Sequence, residues 1–170
     1  MASRKLTDLQ PEARARAQDL LRAAEAADFD VLIYCTLRPL DEQARLFRQG
    51  RPLSEIQDKA DQLDRQYGRP DLASLLMEVG PQYGTRIVTW AGPGQSLHNY
   101  GMALDAVPLQ GGKPVWSTDT IEDRALWMRY GELGVEAGFQ WAGHWPERKR
   151  EYPHMQMPDM RWRELIRSPA

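Results

Sequence analysis

Apolar residues recur at helical spacing through the first part of the chain, at Leu6, Leu9, Ala13, Ala17, Leu20, Leu21 and Ala24, with Pro11 near a first turn. This pattern predicts an amphipathic helix over Thr7 to Ala27 whose role is structural. After Asp28-Phe29-Asp30 the period changes: Val31-Leu32-Ile33-Tyr34-Cys35-Thr36 is an apolar, β-rich run of strand length ending just before Arg38-Pro39. It predicts a buried strand that delivers Arg38 to its end. Leu40 to Gln49 predicts a short helix, with Asp41 and Glu42 in its first turn, Leu40, Ala44 and Phe47 spaced helically, and Gly50 as the stop.

From Arg51 to Arg86 the pattern is polar and mixed, with helix-like pieces at Ser54 to Tyr67 and Asp71 to Val79 bounded by Gly68-Arg69-Pro70 and Gly80-Pro81. This reads as a helical excursion from the core. Trp90-Ala91-Gly92-Pro93-Gly94-Gln95-Ser96 is a turn-rich loop, the kind of segment on which function sits. Met102 to Val107 is a second strand candidate. Ile121 to Ala137 predicts another amphipathic helix, with Leu126, Trp127, Tyr130, Leu133 and Val135 for its apolar face and Gly138 closing it. Phe139 to Trp141 and His154 to Met157 are the last strand candidates. Strands and helices do not alternate regularly, so the expected class is α+β, a small, mainly antiparallel sheet flanked by helices. With no repeat, low-complexity tract or linker, residues 1–170 are expected to form a single domain with an excursion at about 51–86.

Composition narrows the chemistry. The chain carries 22 Lys and Arg against 24 Asp and Glu, a formal net charge of -2, and so lacks the basic excess that nucleic-acid binding needs. No apolar run approaches the roughly 20 residues that span a bilayer, so no stable membrane insertion is expected. The basic start Met1-Ala2-Ser3-Arg4-Lys5 has no apolar stretch behind it, and the expectation is synthesis in the cytoplasm without a Sec signal. Cys35 is the sole cysteine, which excludes an intramolecular disulfide; it is expected to be an inert buried thiol. His98, His144 and His154 are the only histidines, so imidazole or metal chemistry draws on a short list.

The most informative segment runs from Ser96 to Asp105. His98 stands in a glycine-containing loop, and seven residues on Asp105 interrupts the apolar run Met-Ala-Leu-Asp-Ala-Val. A carboxylate there is costly to bury unless something pairs with it. A divalent metal is one such partner; backbone donors around Asp105, with His98 on the surface, are the alternative. A second segment, Glu151-Tyr152-Pro153-His154, sets a carboxylate and an imidazole three residues apart, with Pro153 keeping them off a helix interior. Glu151 would then lie in a loop and His154 would begin a strand, although Glu147 to Glu151 reads equally as a solvated charged loop. His98, Asp105 and His154 make a two-histidine, one-carboxylate set that suits zinc and leaves a fourth position for water. Glu151 is then the candidate to take the proton of that water.

Ser96-x-His98-x-x-Gly101-x-Ala103-x-Asp105 followed by Glu151-x-x-His154 resembles the zinc peptidases of the D-alanyl-D-alanine carboxypeptidase group, VanY and VanX among them. That group also includes bacteriophage L-alanyl-D-glutamate endopeptidases and is related to Hedgehog domains. Thr36-Leu37-Arg38-Pro39-Leu40-Asp41-Glu42-Gln43 resembles the group's arginine-to-glutamine segment, and the similarity runs from about Val31 to Met157. The resemblance implies zinc (Zn2+) ligands His98, Asp105 and His154, general base Glu151, and Arg38 as a substrate or oxyanion partner, with Ser96 also at the substrate. An ordinary salt bridge to Asp41 or Glu42 is the other reading of Arg38.

It further implies a Hedgehog or D-Ala-D-Ala-peptidase-like fold and a peptidoglycan peptide stem as substrate. The bond cut would be L-alanyl-D-glutamate, or D-alanyl-D-alanine in the near alternative; a non-catalytic, metal-containing module for a wall peptide or protein partner is the other class of reading. By the same resemblance the chain would be a monomeric phage endolysin without a separate cell-wall-binding domain, reaching the wall after membrane permeabilisation by a holin-type partner. Two features depart from the group. Where many relatives have Gly-Gly-Asp-Trp, this chain has Trp141-Ala142-Gly143-His144-Trp145, leaving His144 as a substrate contact, an exposed substitution or an alternative ligand. The 51–86 region is also long for the smallest relatives. Trp116, Trp141 and Trp145 are candidates for a groove or for the core.

Overall fold

In the computed structural model, which describes residues 1–81 and 84–167, Gln82 and Tyr83 of the 51–86 excursion lie outside the described residues. In chain order the elements are α1 (Pro11–Ala26), β1 (Val31–Cys35), α2 (Leu40–Arg48), α3 (Leu53–Tyr67), α4 (Pro70–Glu78), β2 (Ala103–Gln110), β3 (Lys113–Pro114), α5 (Ile121–Glu136), β4 (Gln140–Trp141), β5 (His154–Gln156) and α6 (Trp162–Leu165). Short 3-10 turns lie at Leu6–Asp8, Leu97–Tyr100, Ala142–His144 and Glu147–Lys149. The α+β class is as the patterns predict.

Several boundaries move for identifiable reasons. The first helix starts at Pro11 rather than Thr7, because proline takes a first-turn position and the preceding residues close a separate 3-10 turn. β2 runs on past Val107 to Gln110 and turns into β3, a hairpin partner that two residues of Lys-Pro do not announce. Val135, expected on the apolar face of α5, is 44% exposed. It stands two residues beyond buried Leu133, about 200° round the helix. Gly131 and Gly134 occupy the buried side instead.

The chain divides into two compact units, one formed by Met1–Ala2, Arg38–Asn99 and Met160–Ala170, the other by Ser3–Leu37 and Tyr100–Asp159. The second is the sheet unit. Its strands lie in the order β1-β2-β5-β4, each neighbouring pair antiparallel, with β3 on β2. α5 packs on β2 and β4, and α1 packs on α5. Two glycines permit that closeness: a side chain at Gly131 would strike the Trp141 ring and one at Gly134 would strike Met155. Leu104 and Met155 are cross-strand partners, as are Trp141 and Met155, so these side chains form the face turned toward α5.

The first is the helical unit, built from α2, α3, α4 and α6. One cluster joins Ala44 and Phe47 of α2, Ile56, Ala60, Leu63 and Tyr67 of α3, Leu72 and Leu76 of α4, and Ile166. The helices of the predicted excursion thus share an apolar core with α2 and Ile166. Leu63, Leu76 and Ile166 are fully buried, each contributing about 1.5–3 kcal/mol by removal from water. Among the described residues no helix is long and apolar enough to cross a membrane.

Candidate metal centre

In the sheet unit, strand register decides which side chains meet. Asp105 of β2 lies opposite His154 of β5 on one side and Cys35 of β1 on the other. Directly paired residues share a face, and alternation puts this row on the face turned away from α5. Asp105 is 9% exposed, His154 8% and Cys35 3%. His154 Nδ1 is 3.1 Å from Asp105 Oδ1, and a sulfur-to-carboxylate approach within 4.8 Å brings Cys35 to the same carboxylate. The other imidazole nitrogen, Nε2, lies 3.1 Å from Gln156 Oε1, and the Gln156 amide donates to Gln140 Oε1 at 2.9 Å. An outer carbonyl of this kind fixes the orientation of a ligating imidazole.

Behind the row, Tyr130 of α5 donates its hydroxyl to the Pro153 carbonyl at 2.8 Å, and the Ala106 N–H reaches the same oxygen at 3.2 Å. The residue before His154 is therefore held twice. Burial, and secondarily the negative charge of Asp105, push the Tyr130 phenol well above its usual pKa. It serves as a donor, not as a base.

Glu151 sits where its spacing predicts, exposed in the loop, while His154 is the first residue of β5. The two are tied by the His154 N–H donating to the Glu151 carbonyl at 3.3 Å, and the Glu151 N–H donates to the Ala142 carbonyl at 3.3 Å. Trp145 lies beside His154, with ring centroids 5.6 Å apart. Trp141 is core and Trp116 is 59% exposed, its ring set edge-on to Tyr34. His144 is exposed with its ring against Trp141.

In the helical unit, positioning is done by side chains and loops. His98 lies in the Leu97–Tyr100 turn and is 2% exposed, which excludes the surface-loop reading. Ser96 accepts from the His98 N–H through Oγ at 3.4 Å and from the Asn99 N–H through its carbonyl at 3.0 Å, capping the turn. The Arg38 N–H donates to the His98 carbonyl at 3.0 Å, while the Asn99 amide donates to the Arg38 carbonyl at 2.9 Å. Arg38 and His98 are thereby clipped together.

The Arg38 guanidinium donates to Gln43 Oε1 at 3.0 Å, and the Gln43 amide donates to the Ala91 carbonyl at 2.7 Å. Of the carboxylates first considered for Arg38, Asp41 lies 3.7 Å from Arg45, and Glu42 lies 3.0 Å from the N-terminal amine. Gln43 and Asn99 received no role from the sequence, although Gln43 carried a signal. It sits among Leu40, Ala44 and Phe47 on the buried stripe of α2, where a polar residue needs a partner.

The donor chemistry suits a divalent cation. Asp105 and His154 face each other with little solvent, and a carboxylate oxygen and an imidazole nitrogen are both suitable ligand atoms for such a cation.

Residues 90–157 match the D-alanyl-D-alanine carboxypeptidase family. The peptidoglycan L-alanyl-D-glutamate endopeptidase CwlK of Bacillus subtilis (strain 168) is 28% identical over 155 residues, which cover 89% of this chain and 74% of the relative. Among solved structures, the L-Ala D-Glu endopeptidase ChiX of Serratia marcescens aligns over 92% of this chain and 88% of its own, at 16% identity and a TM-score of 0.49. The vancomycin resistance D,D-pentapeptidase VanY from a VanB-type cassette, solved with Zn(II), aligns over 88% of this chain and 72% of its own, at 17% identity and a TM-score of 0.48. The stretch that matches the family, residues 90–157, is the one that carries His98, Asp105, Glu151 and His154.

Proposed function

We propose that the chain is a zinc-dependent peptidase that hydrolyses an amide bond in the peptide stem of peptidoglycan, the L-alanyl-D-glutamate bond first among candidates. The observation that carries this reading is the buried Asp105–His154 pair, set in the matched stretch with Glu151 tied to His154 through the backbone. His98, Asp105 and His154 are the residues that would hold the metal. Zinc, when bound, lowers the pKa of water to about 7 and polarises a carbonyl oxygen.

The chain's own residues supply the rest. Glu151, exposed in its loop, has a carboxylate able to accept a water proton at Oε and return it to the departing amine nitrogen. Arg38 presents a guanidinium that stabilises negative charge developing on the scissile carbonyl oxygen, or an anionic group of the stem. Gln43 accepts from that guanidinium, and Ser96, which caps the His98 turn, would be a further substrate contact. Activity on the D-alanyl-D-alanine bond draws on the same residues, so the two bonds are separated by their products. Cleavage at the wall as a phage endolysin fits the same chemistry.

A second reading is a metal-containing module that binds wall peptide without cutting it. The two readings part at Glu151. Glu151→Ala should keep its zinc and lose about 10²- to 10⁴-fold in turnover on purified peptidoglycan, followed by mass spectrometry of the released stems. Intact stems after incubation with the zinc-loaded wild type would overturn the peptidase reading.

A further inference from the structure

The loop between β4 and β5 carries a second feature that the proposed catalytic steps do not use. Its backbone is folded on itself: the Trp145 N–H donates to the Ala142 carbonyl at 3.1 Å and the Lys149 N–H to the Pro146 carbonyl at 2.7 Å. The Arg150 N–H donates to the Glu147 carbonyl at 3.3 Å, and the Glu151 N–H returns to Ala142. The Trp141 indole, buried under α5, also donates to the Tyr152 carbonyl at 2.7 Å. These bonds hold the run Arg148-Lys149-Arg150 between Trp145 and Glu151.

A cavity of about 660 Å³ opens here, lined by Trp145, Pro146, Glu147, Arg148 and Lys149. That volume lies within the range of small-ligand pockets. Trp145 forms one wall, and its ring lies 5.6 Å from the ring of His154. The cavity thus begins one side chain away from a proposed metal ligand. Arg148, Lys149 and Arg150 are exposed, and among the described residues none of them has an ion-pair partner. The run Glu147-Arg148-Lys149-Arg150-Glu151 has one more cation than carboxylates, an excess that an anionic ligand balances.

We propose that this loop is the subsite for the glutamyl carboxylate of the stem peptide, with Trp145 packing against the peptide and Arg148 and Lys149 taking the carboxylate. This rests on the peptidase reading and gives it a substrate feature. In an L-alanyl-D-glutamyl stem linked onward through the glutamyl side chain, one free carboxylate stands beside the scissile amide. A wall of Trp145 and Pro146, with Arg148 and Lys149 outnumbering the one carboxylate of Glu147 in the lining, is complementary to that group, since charge-assisted hydrogen bonds to a carboxylate are stronger than those to its amide.

The test uses the full-length, zinc-loaded Glu151→Gln protein, which leaves the peptide uncut. Two synthetic stems are titrated by calorimetry: L-alanyl-γ-D-glutamyl-L-lysine and its D-isoglutaminyl counterpart, both ending in a carboxamide, so that the glutamyl carboxylate is the only one that differs. The acid should bind about tenfold more tightly than the amide, and adding Arg148→Ala and Lys149→Ala should reduce that ratio to about one while leaving amide binding within about twofold. An unchanged ratio in the substituted protein, equal binding of both stems before substitution, or binding of neither would overturn the proposal. Failure of the peptidase reading looks different: the stems bind, and the wild type does not cut them.

Discussion

The sheet unit and the helical unit position chemistry by different means. In the sheet unit the backbone ladder does the work: β2 and β5 are paired in one register, and that register sets Asp105 against His154. A slip of β5 by one residue would send His154 to the opposite face from Asp105. In the helical unit no ladder holds Arg38 or His98. They are fixed by the Arg38 N–H bond to the His98 carbonyl, by the side-chain bond from the Arg38 guanidinium to Gln43, by the Asn99 amide on the Arg38 carbonyl and by the cap of Ser96. The first arrangement fails all at once, as a strand does; the second loosens bond by bond.

The comparison can be broken from the sheet side by Gly134→Ala. The added methyl meets Met155, whose neighbour in β5 is His154. Overpacking of this kind costs about 1–3 kcal/mol, read as a lower urea midpoint with an unchanged slope, and zinc affinity should fall with it. Full stability in that variant would show that α5 yields without disturbing the strand.

From the helical side, Gln43→Ala removes the amide that satisfies the Ala91 carbonyl and the oxygen that holds Arg38. Stability should drop by about 1–2 kcal/mol. Zinc content should stay at the wild-type level, and kcat/KM should fall by more than the stability loss accounts for. Loss of zinc in this variant would erase the distinction between the two units.

The smallest effect concerns pH. The Tyr130 phenol has its pKa raised above the usual value near 10 by burial and by Asp105. In alkali the folded chain therefore keeps a proton that the unfolded chain has released. Its contribution is complete below about pH 10 and declines as pH rises above that. Tyr130→Phe should flatten the alkaline limb of a stability profile, while costing about 1 kcal/mol at neutral pH for the hydrogen bond to Pro153. A parallel limb in both proteins would remove Tyr130 from the account.

Much of the fold was legible from pattern. The apolar periods of α1, α3 and α5 and the β-rich run of β1 located those elements to within a few residues, because burial imposes the spacing directly. Val135 was misplaced because glycines carry no hydrophobic signal, although Gly131 and Gly134 are what let α5 approach the sheet. At the site, the cost of burying Asp105 in an apolar strand pointed to a partner, and strand register supplies His154. Gln156 and Asn99 were not legible, since their roles come from which backbone and side-chain groups the turns bring near them. The basic run at Arg148 to Arg150 read as a solvated loop because its cavity exists only once Trp145 is placed.

The central claim is the proposed zinc ligation by His98, Asp105 and His154. It is tested most directly by the zinc content of purified wild type, His98→Ala and His154→Ala, measured side by side after equilibration with limiting free zinc. The account predicts one equivalent of zinc in the wild type and a marked loss in each variant. A full equivalent retained by either variant would contradict it.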